Sequence, residues 1–307
     1  MKNIALIFPG QGAQKTGMGR EFYEASPEAK GIFDKAENIL KNGLLDVTFN
    51  GPQEKLTLTA YCQPAILTFS IAALAALKAS PKFKNLKVAY TCGLSLGEYS
   101  ALIAAGALSF EDGLHLVERR SFFMEEATKL SKGKMAAIIG FSKEKLIEIC
   151  KKTGAEVANF NSPEQIVITG KAECVETACE VIRAEGAKSV IPLDVSGAFH
   201  SSLMRPAENK FAEILKGVSI QKSHFPVISN VTASIEDGPD VIRQNLAKQI
   251  TSSVRWEESV RFITQKGVTT FLEIGPGKVL KGLLRKTDPS LTVFNIEKPQ
   301  DIADLLL

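Results

Sequence analysis

Short apolar runs alternate with amphipathic segments along most of the chain. Runs of strand length occur at 3–8, 87–92, 225–231, 269–274 and 291–296. Between them lie longer segments whose apolar residues recur at helical spacing. Such alternation is typical of a largely parallel sheet that is covered by helices on both faces. We therefore predict an α/β fold.

The segments between these strands predict a series of helices. Pro64 suits the first position of the second helix, Gly106 can end the third, and Ser109 with Asp112 forms a capping pair for the fourth. The helices predicted outside the central part of the chain are 21–40, 65–79, 98–108, 109–129, 205–215, 241–249, 256–265 and 279–286.

The central part of the chain, 131–194, has a different order of elements. Its predicted strands and helices follow the order β-α-β-β-α-β, which is that of the ferredoxin-like unit. The first kind of alternation resumes after it, so we predict that 131–194 is an inserted small domain and that 1–130 and 195–307 form one large domain. The elements are strands at 135–139, 156–160, 165–169 and 188–193 and helices at 142–152 and 173–185.

The composition is typical of a folded globular protein. The 307 residues are 45% hydrophobic and 23% charged. The net charge is only +3, from 37 basic and 34 acidic residues, which argues against a dedicated nucleic-acid-binding protein. The most apolar run, 65–79, is short for a membrane span, and the N-terminus shows no signal-peptide pattern. We predict a cytoplasmic protein that binds neither nucleic acid nor membrane.

Cysteine and glycine patterns argue against two kinds of site. Gly275-Pro276-Gly277-Lys278 has the wrong spacing for a phosphate-binding loop, and Val279 stands where that loop needs serine or threonine. The cysteines have neither metal-ligand nor C-x-x-C spacing, so we expect reduced thiols and no metal site. They are Cys62, Cys92, Cys150, Cys174 and Cys179.

Candidate chemistry begins at Gly93-Leu94-Ser95-Leu96-Gly97, between a predicted strand and a predicted helix. This is the context of the nucleophile elbow, so we predict an α/β-hydrolase-like architecture for the large domain. Free N–H groups and the positive end of the dipole at the helix N-terminus would stabilise a developing oxyanion. The five-residue pattern alone fits an ordinary strand-to-helix turn equally well.

A serine nucleophile needs a general base, and the chain has three histidines. His115 falls inside a predicted helix and His224 precedes a predicted strand, so structural or surface roles suit both better. His200 lies in a loop of small residues after the last strand of the small domain, where catalytic groups are often placed. The oxyanion would bind the backbone N–H of Leu96 and an N–H of the glycine-rich turn at 9–12.

Five sequence blocks, taken together, resemble one enzyme family. In chain order they are Pro9-Gly10-Gln11-Gly12-Ala13-Gln14, Gln63-Pro64-Ala65, Gly93-Leu94-Ser95-Leu96-Gly97-Glu98-Tyr99-Ser100-Ala101-Leu102, Gly197-Ala198-Phe199-His200-Ser201 and Gly275-Pro276-Gly277-Lys278-Val279-Leu280. The chain thereby resembles the malonyl-CoA:acyl carrier protein transacylases of bacterial fatty acid synthesis over nearly its whole length. The resemblance implies transfer of a malonyl group from malonyl-CoA to the phosphopantetheine thiol of acyl carrier protein, through a malonyl-serine and without a cofactor.

The resemblance also implies roles for individual residues. It makes Ser95 the nucleophile, His200 its general base, and the backbone amides of Gln11 and Leu96 the oxyanion donors. In this family a main-chain carbonyl orients the histidine, and Gln249 occupies the matching position. The polar positions that line the family's cleft match Gln63, Asn161 and Asn230.

In the same family an arginine in the helix after the serine pairs with the malonyl carboxylate. Spacing alone does not choose between Arg119 and Arg120. Arg120 shares a helical stripe with Gly113, Val117 and Met124 and matches the family's position, whereas an exposed face suits Arg119 better. A guanidinium binds a planar carboxylate through two parallel hydrogen bonds.

The closest alternative is an esterase or thioesterase with the same serine motif. Such an enzyme would use an acid before the histidine, and Asp194 is the one that could be proposed. Asp194 lies six residues before His200 on one strand end, where a surface or structural role fits better. An arginine at the acyl pocket is also unneeded by an ester hydrolase. A catalytically silent protein that keeps the fold is a third reading.

One position departs from the family's pattern. The family usually has histidine immediately before the serine, where this chain has Leu94. The departure affects any hydrogen bond that this histidine makes behind the nucleophile, and it leaves the base at His200 untouched. We therefore expect reduced or retuned activity rather than loss.

Overall fold

The computed structural model describes residues 2–306, in which the named strands form two four-stranded sheets. The strands are β1 (Lys2–Phe8), β2 (Leu86–Gly93), β3 (Gly133–Ile139), β4 (Glu156–Ser162), β5 (Gln165–Lys171), β6 (Ser189–Pro192), β7 (Thr270–Ile274) and β8 (Thr292–Ile296). The first sheet has the order β2-β1-β7-β8 with parallel neighbours, and the second has the order β4-β5-β3-β6 with antiparallel neighbours. The fold is mixed α/β with separate parallel and antiparallel sheets.

Helices occupy most of the chain between these strands. Those from α8 onward begin and end within two residues of the predicted segments, apart from the short C-terminal helix, which the sequence did not predict. The helices are α1 (Arg20–Ala25), α2 (Pro27–Leu40), α3 (Leu44–Asn50), α4 (Gln53–Thr57), α5 (Thr59–Ala79), α6 (Gly97–Ala104), α7 (Phe110–Leu130), α8 (Lys143–Thr153), α9 (Ala172–Ala184), α10 (Arg205–Lys216), α11 (Pro239–Gln249), α12 (Trp256–Gln265), α13 (Val279–Thr287) and α14 (Pro299–Ala303).

The parallel sheet is buried on both faces, as its apolar strands predict. Along β1, Ile4, Leu6 and Phe8 face the larger core, which α5, α6, α7 and α10 cover. The alternate residues Ala5 and Ile7 face a second core beneath α12 and α13. Because successive side chains of a strand point to opposite faces, a strand covered on both sides is a continuous apolar run.

The single helix predicted at 21–40 is wrong, because the chain forms two helices there. Ser26 has extended backbone, its Oγ accepts a hydrogen bond from the Ala29 amide at 3.2 Å, and Pro27 starts α2. Serine followed by proline is a helix start, and this local signal outweighs the helical spacing across it.

The predicted start of α5 at Pro64 is also wrong. The helix begins at Thr59 and keeps Pro64 in its interior. Burial of Cys62 and Gln63 in the first turns stabilises the longer helix despite the proline's missing N–H. Gln63 therefore lies on a helix, where its side chain has a fixed direction.

The length and composition of α5 are those of a membrane span, and the 18-residue apolar stretch it contains has a mean hydropathy of 1.6. That stretch is 83% buried inside the fold. Such burial is typical of the central helix of a protein core, where a helix is apolar nearly all round.

The strand predicted at 225–231 is wrong, because only isolated bridges form there. Thr91 pairs with Val227 in a parallel bridge, and Ile228 pairs with Ile235 after the chain reverses. Pro226 has no N–H to donate, and the left-handed Ala233 (φ 52°) belongs to the reversal. The resulting loop pairs with the free edge of β2 at Thr91.

The antiparallel sheet and its helices follow the predicted order, β3-α8-β4-β5-α9-β6. One face of this sheet packs with α8 and α9 around Ile138, Leu146, Ile168 and Ile182. That 131–194 is a separate domain stays a prediction. The five cysteines in the described part of the chain are free thiols, as expected, and all but Cys174 are buried.

The second sheet is also attached to the loop that follows α11. Phe160 donates its amide to the Val254 carbonyl at 2.9 Å, and the Val254 amide donates to the Ala158 carbonyl at 2.8 Å. Strand β4 thus pairs with a segment that begins immediately after Gln249.

Candidate active site

Ser95 lies in the tight turn between β2 and α6, with left-handed backbone at φ 52°. The turn requires glycine on both sides. A Cβ on Gly93 would lie 1.9 Å from the Gly97 carbonyl carbon, and one on Gly97 would lie 2.1 Å from the Phe8 carbonyl oxygen. Strand, strained serine and helix therefore have the strand-turn-helix geometry that the motif predicts.

Asn230 holds this turn from behind. Its side-chain oxygen accepts a hydrogen bond from the Ser95 amide at 2.6 Å, and its side-chain nitrogen donates to the Gly93 carbonyl at 2.7 Å. Asn230 is buried and does not line the cavity. The side chain of Asn230, expected in the cleft wall, is instead engaged with the backbone of the serine turn.

His200 and Ser95 are in direct contact. Nε2 of His200 lies 2.8 Å from Oγ of Ser95, and Nδ1 lies 2.9 Å from the Gln249 carbonyl oxygen. A carbonyl only accepts, so Nδ1 carries the proton and Nε2 is left to accept from the serine hydroxyl. The other two histidines, His115 and His224, are exposed on the surface.

The imidazole of His200 is neutral in this environment. Burial, and then the positive charge of Arg120, lower the pKa of His200 from 6.5 to about 4. Both effects disfavour the charged imidazolium. A neutral imidazole with a free Nε2 lone pair is the state that a general base needs.

Arg120 also reaches Ser95. Its guanidinium donates to Oγ of Ser95 at 2.9 Å, to Oε1 of Gln63 at 2.8 Å and to Oε1 of Gln249 at 3.1 Å. Within residues 2–306 these acceptors are all neutral, and the Arg120 side chain is 1% exposed. Arg119, by contrast, stacks on the rings of Phe122 and Phe123 away from the cavity. The structure therefore brings Arg120, and not Arg119, to the serine.

A cavity of about 350 Å³ opens beside Ser95, His200 and Arg120. Strands β3, β4 and β5 of the antiparallel sheet and the loops that follow β1 and β2 contribute to it, with Met135, Val167, Leu193 and Phe199 among the apolar residues. Its polar residues include Gln11, Gln14, Gln63, Asn159, Asn161 and Gln165.

Two backbone amides and one side-chain oxygen at the cavity are free to meet a ligand. The N–H groups of Gln11 and Leu96 donate to no protein acceptor in the described chain. Asn161 is 8% exposed, and its side-chain oxygen likewise has no partner among residues 2–306. Gln63 is committed, since it accepts from Arg120 and donates to the Gln11 side chain at 3.4 Å.

Leu94 forms part of an apolar wall with Val279 and Leu283. A Cβ on Gly10 would lie 3.2 Å from the Leu94 Cδ2 atom, so this side chain reaches toward the glycine-rich turn. The wall offers no hydrogen-bond donor at the position before the serine.

Asp194 does not orient the base. It is exposed at the rim of the cavity, and Nδ1 of His200 is already bonded to the Gln249 carbonyl. The described residues therefore form no Ser-His-Asp arrangement with this acid.

The sequence did not reveal a second layer of polar side chains behind the serine. Nε2 of Gln249 donates to the Ser95 carbonyl at 3.0 Å and to Oε2 of Glu98 at 2.8 Å. The only local signal was a glutamate in the first helical turn after the serine motif. Its burial depends on partners more than a hundred residues away, Asn230 and Gln249.

Comparison with known proteins places the whole chain among acyltransferases. Residues 5–300 match the acyl transferase domain family. The malonyl CoA-acyl carrier protein transacylase of Bacillus subtilis is 47% identical over 98% of this chain and 96% of its own length. A solved transacylase of the same name from Coxiella burnetii is 35% identical, with a TM-score of 0.94 over 99% of this chain and 96% of that one. A solved malonyl transacylase in complex with a type II PKS acyl carrier protein is 37% identical, with a TM-score of 0.93 over 99% of this chain and 98% of that one.

Proposed function

Because this chain belongs to the acyl transferase domain family, we propose that it transfers malonyl from malonyl-CoA to the phosphopantetheine thiol of acyl carrier protein. The names of its relatives support both substrates. The observation that carries the proposal is the dual contact of the Ser95 hydroxyl, with the neutral base His200 and with the buried cation Arg120.

In the first half of the reaction, Oγ of Ser95 attacks the thioester carbonyl while Nε2 of His200 takes its proton. The tetrahedral oxyanion accepts hydrogen bonds from the free amides of Gln11 and Leu96. When the intermediate collapses, the C–S bond breaks and His200 returns the proton to the departing CoA thiolate. The product is malonyl-Ser95 and free CoA thiol.

In the second half, the phosphopantetheine thiol of the carrier takes the place of CoA. His200 removes the thiol proton, the thiolate attacks the malonyl ester, and the proton returns to Oγ of Ser95 as the ester bond breaks. The Gln249 carbonyl keeps the imidazole in one tautomer through both halves. This ping-pong scheme uses only the chain's own groups and the two thiol carriers.

Arg120 supplies the preference for a carboxylated acyl group. Its guanidinium is fully buried and its hydrogen bonds go to neutral acceptors, so an acyl carboxylate would be the first anion to accept a hydrogen bond from it. A charged, forked donor in a dry site binds a carboxylate far better than water-exposed lysine would. Gln63 and Gln249 hold the guanidinium in position, and Asn161 offers its free oxygen to the substrate.

The domain architecture and the cellular location are also part of the proposal. The strand order β4-β5-β3-β6 suits a ferredoxin-like unit, and the elbow on a parallel sheet suits a hydrolase-like large domain. We assign the former to 131–194 and the latter to the rest of the chain. The cell context that fits these substrates is cytoplasmic fatty acid synthesis.

Intact-protein mass measurement after incubation with malonyl-CoA tests the proposal. We expect one malonyl group on the parent protein and none on Ser95→Ala. Addition of carrier protein bearing phosphopantetheine should move that group to the carrier. Rapid release of malonate without an adduct would instead identify a hydrolase. Failure of Ser95 to react with malonyl-CoA or with a serine-directed acyl probe would identify a catalytically silent protein.

A further inference from the structure

Two buried carboxyl groups lie together behind the nucleophile. Glu98, in the first turn of α6, is 0% exposed, and Glu236, in the loop before α11, is 3% exposed. The two carboxyl groups are close enough to interact, since the charge of Glu98 raises the pKa of Glu236. Neither forms a salt bridge with a cation of residues 2–306, and the reaction scheme above uses neither.

We propose that Glu98 and Glu236 share one proton and act together as a positioning pair for Ser95 and His200. This inference rests on the proposed function, since it assigns the pair to the same reaction.

The need for a proton follows from unpaired oxygens. Oε1 of Glu98 and Oε2 of Glu236 are both buried, and neither accepts a hydrogen bond from any donor in residues 2–306. Two ionised carboxylates in contact would repel each other and leave both oxygens unsatisfied. One proton between them supplies an O–H donor, satisfies both oxygens and leaves a single negative charge opposite the buried Arg120.

The remaining oxygens of the pair are fixed by amides. Oε2 of Glu98 accepts from Nε2 of Gln249 at 2.8 Å and from the backbone amide of Asn230 at 3.0 Å. Oε1 of Glu236 accepts from the side chain of Asn245 at 3.1 Å. The singly charged pair is therefore held in one orientation.

Through these amides the pair reaches both reacting residues. Gln249 carries the carbonyl that holds His200, and Asn230 carries the side chain that holds the Ser95 amide. Glu98 touches neither the reacting oxygen nor the base. Glu98 holds Gln249 and Asn230, and these in turn hold His200 and Ser95. This is a positioning role.

Burial keeps the proton of the pair, against Gln249, the Asn230 amide and Arg120, which all lower the pKa of Glu98. Arg120 from α7, Tyr99 from α6 and Cys92 from β2 face Glu98, and burial raises the pKa of both Tyr99 and Cys92, so these two stay uncharged. Burial raises the pKa of Glu98 to about 7 and that of Glu236 well above 4.5, in the latter case with a further contribution from the Glu98 charge. The proton then belongs to the pair rather than to either residue.

Four variants of the full-length protein test the pair. Glu98→Gln and Glu236→Gln each replace the shared proton by a permanent amide donor and keep one negative charge. Glu98→Ala removes the acceptor for Gln249 and Asn230. Glu273→Gln is the matched control, because Glu273 is a fully buried glutamate of β7 whose partners, Asn295 and the amides of α13, lie outside the site.

The first readout is independent of malonyl transfer. Infrared spectra of the free protein should show a protonated carboxyl band at neutral pH that disappears in Glu98→Gln and in Glu236→Gln and persists in Glu273→Gln. Persistence of the band in both glutamine variants of the pair would overturn the shared proton, whatever the substrate of the enzyme is.

The second readout is the rate at which a serine-directed acyl probe labels Ser95, measured against pH. Glu98→Ala should lower the limiting rate about 10- to 100-fold without weakening probe binding, because a misplacement of about 1 Å costs about that much. Glu236→Gln should keep the neutral-pH rate and lose the alkaline decline that follows the departure of the shared proton. An unchanged limiting rate in a folded Glu98→Ala protein, or an unchanged alkaline limb in Glu236→Gln, would overturn the positioning role.

Discussion

The carbonyl oxygen of Gln249 accepts the hydrogen bond of His200 Nδ1 at 2.9 Å, in the place where many serine enzymes have a carboxylate. A neutral acceptor fixes the tautomer of the imidazole but adds no negative charge beside it. The guanidinium of Arg120 donates to the serine hydroxyl at 2.9 Å. Burial and this cation both lower the pKa of His200.

This environment predicts how the rate of Ser95 acylation changes at acidic pH. Burial and Arg120 lower the pKa of His200 to about 4, so the imidazole stays neutral and competent well below pH 6.5. We expect the rate of labelling by an uncharged serine-directed probe to stay nearly constant as pH falls to about 5 and to decline as it approaches 4. His115→Gln, on the exposed face of α7, should have the same profile.

The lowered pKa of His200 also makes the free energy of unfolding depend on pH. The folded protein binds a proton at His200 more weakly than the unfolded chain does, so this contribution to stability is complete above about pH 6.5 and is lost as pH falls toward 4. Thermal melts of His200→Gln should lack this part of the acid dependence of stability.

For the acylation profile, a decline in the rate of Ser95 labelling near pH 6.5 in the parent would contradict a buried, neutral His200.

Arg120→Ala should abolish the preference for malonyl. Hydrogen bonds to charged groups contribute about 1.5–3 kcal/mol each, so the ratio of kcat/KM for malonyl-CoA to that for acetyl-CoA should fall at least about tenfold. Activity on acetyl-CoA should persist or rise. Arg119→Ala is the matched control, because Arg119 stacks on Phe122 and Phe123 outside the cavity. An Arg120→Ala protein with unchanged discrimination would remove the carboxylate assignment.

Leu94 variants test the apolar wall beside the serine. Leu94→Ala and Leu94→His should both keep acylation of Ser95 by malonyl-CoA, with rates within about tenfold of the parent, because neither changes His200, Arg120 or the oxyanion amides. Intact-mass kinetics measure this directly. Loss of malonylation in both variants, with Ser95 still reactive toward a serine-directed probe, would show that the wall is essential for the substrate.

Gly97→Ala should destabilise the fold by more than about 4 kcal/mol, since a Cβ there meets the Phe8 carbonyl oxygen at 2.1 Å and only a backbone shift could relieve it. Gly282→Ala is the opposite case: this exposed glycine of α13 has open space around it, so alanine should stabilise by about 0.4–1 kcal/mol. Denaturant unfolding measures both. A Gly97→Ala protein as stable as the parent would refute the packing of the elbow.

Residues whose signal is local could be predicted from the sequence. The motif around Ser95 was recognised because flanking glycines are required by a crowded, left-handed turn, and β1 because a strand buried on both faces is a continuous apolar run. The predicted ends of helices were wrong where a local sequence signal and the helical pattern of burial pointed to different residues. At Pro64 the core stabilised an earlier start, and at Pro27 the capping serine ended one helix and began another.

Residues whose partners are distant could not be predicted in the same way. Glu98, Asn230, Glu236 and Gln249 come from three separate segments, and their contacts exist only after the chain has folded. An asparagine in a loop gives no sign of whether its amide will meet a substrate or a backbone. This is why Asn230 was placed in the cleft wall, whereas its amide is engaged with the serine turn.

The pairing of β4 with Val254 has a mechanical consequence. One wall of the cleft comes from the antiparallel sheet and the other from the loops that follow β1 and β2, and a hinge between them would need a free connection near Gln249. Instead, two backbone hydrogen bonds join Val254, five residues after Gln249, to strand β4 of the second sheet. We therefore expect the two walls of the cleft to keep one relative position when a ligand binds. An incoming pantetheine arm would then change its own conformation to fit, without a closing motion of the protein.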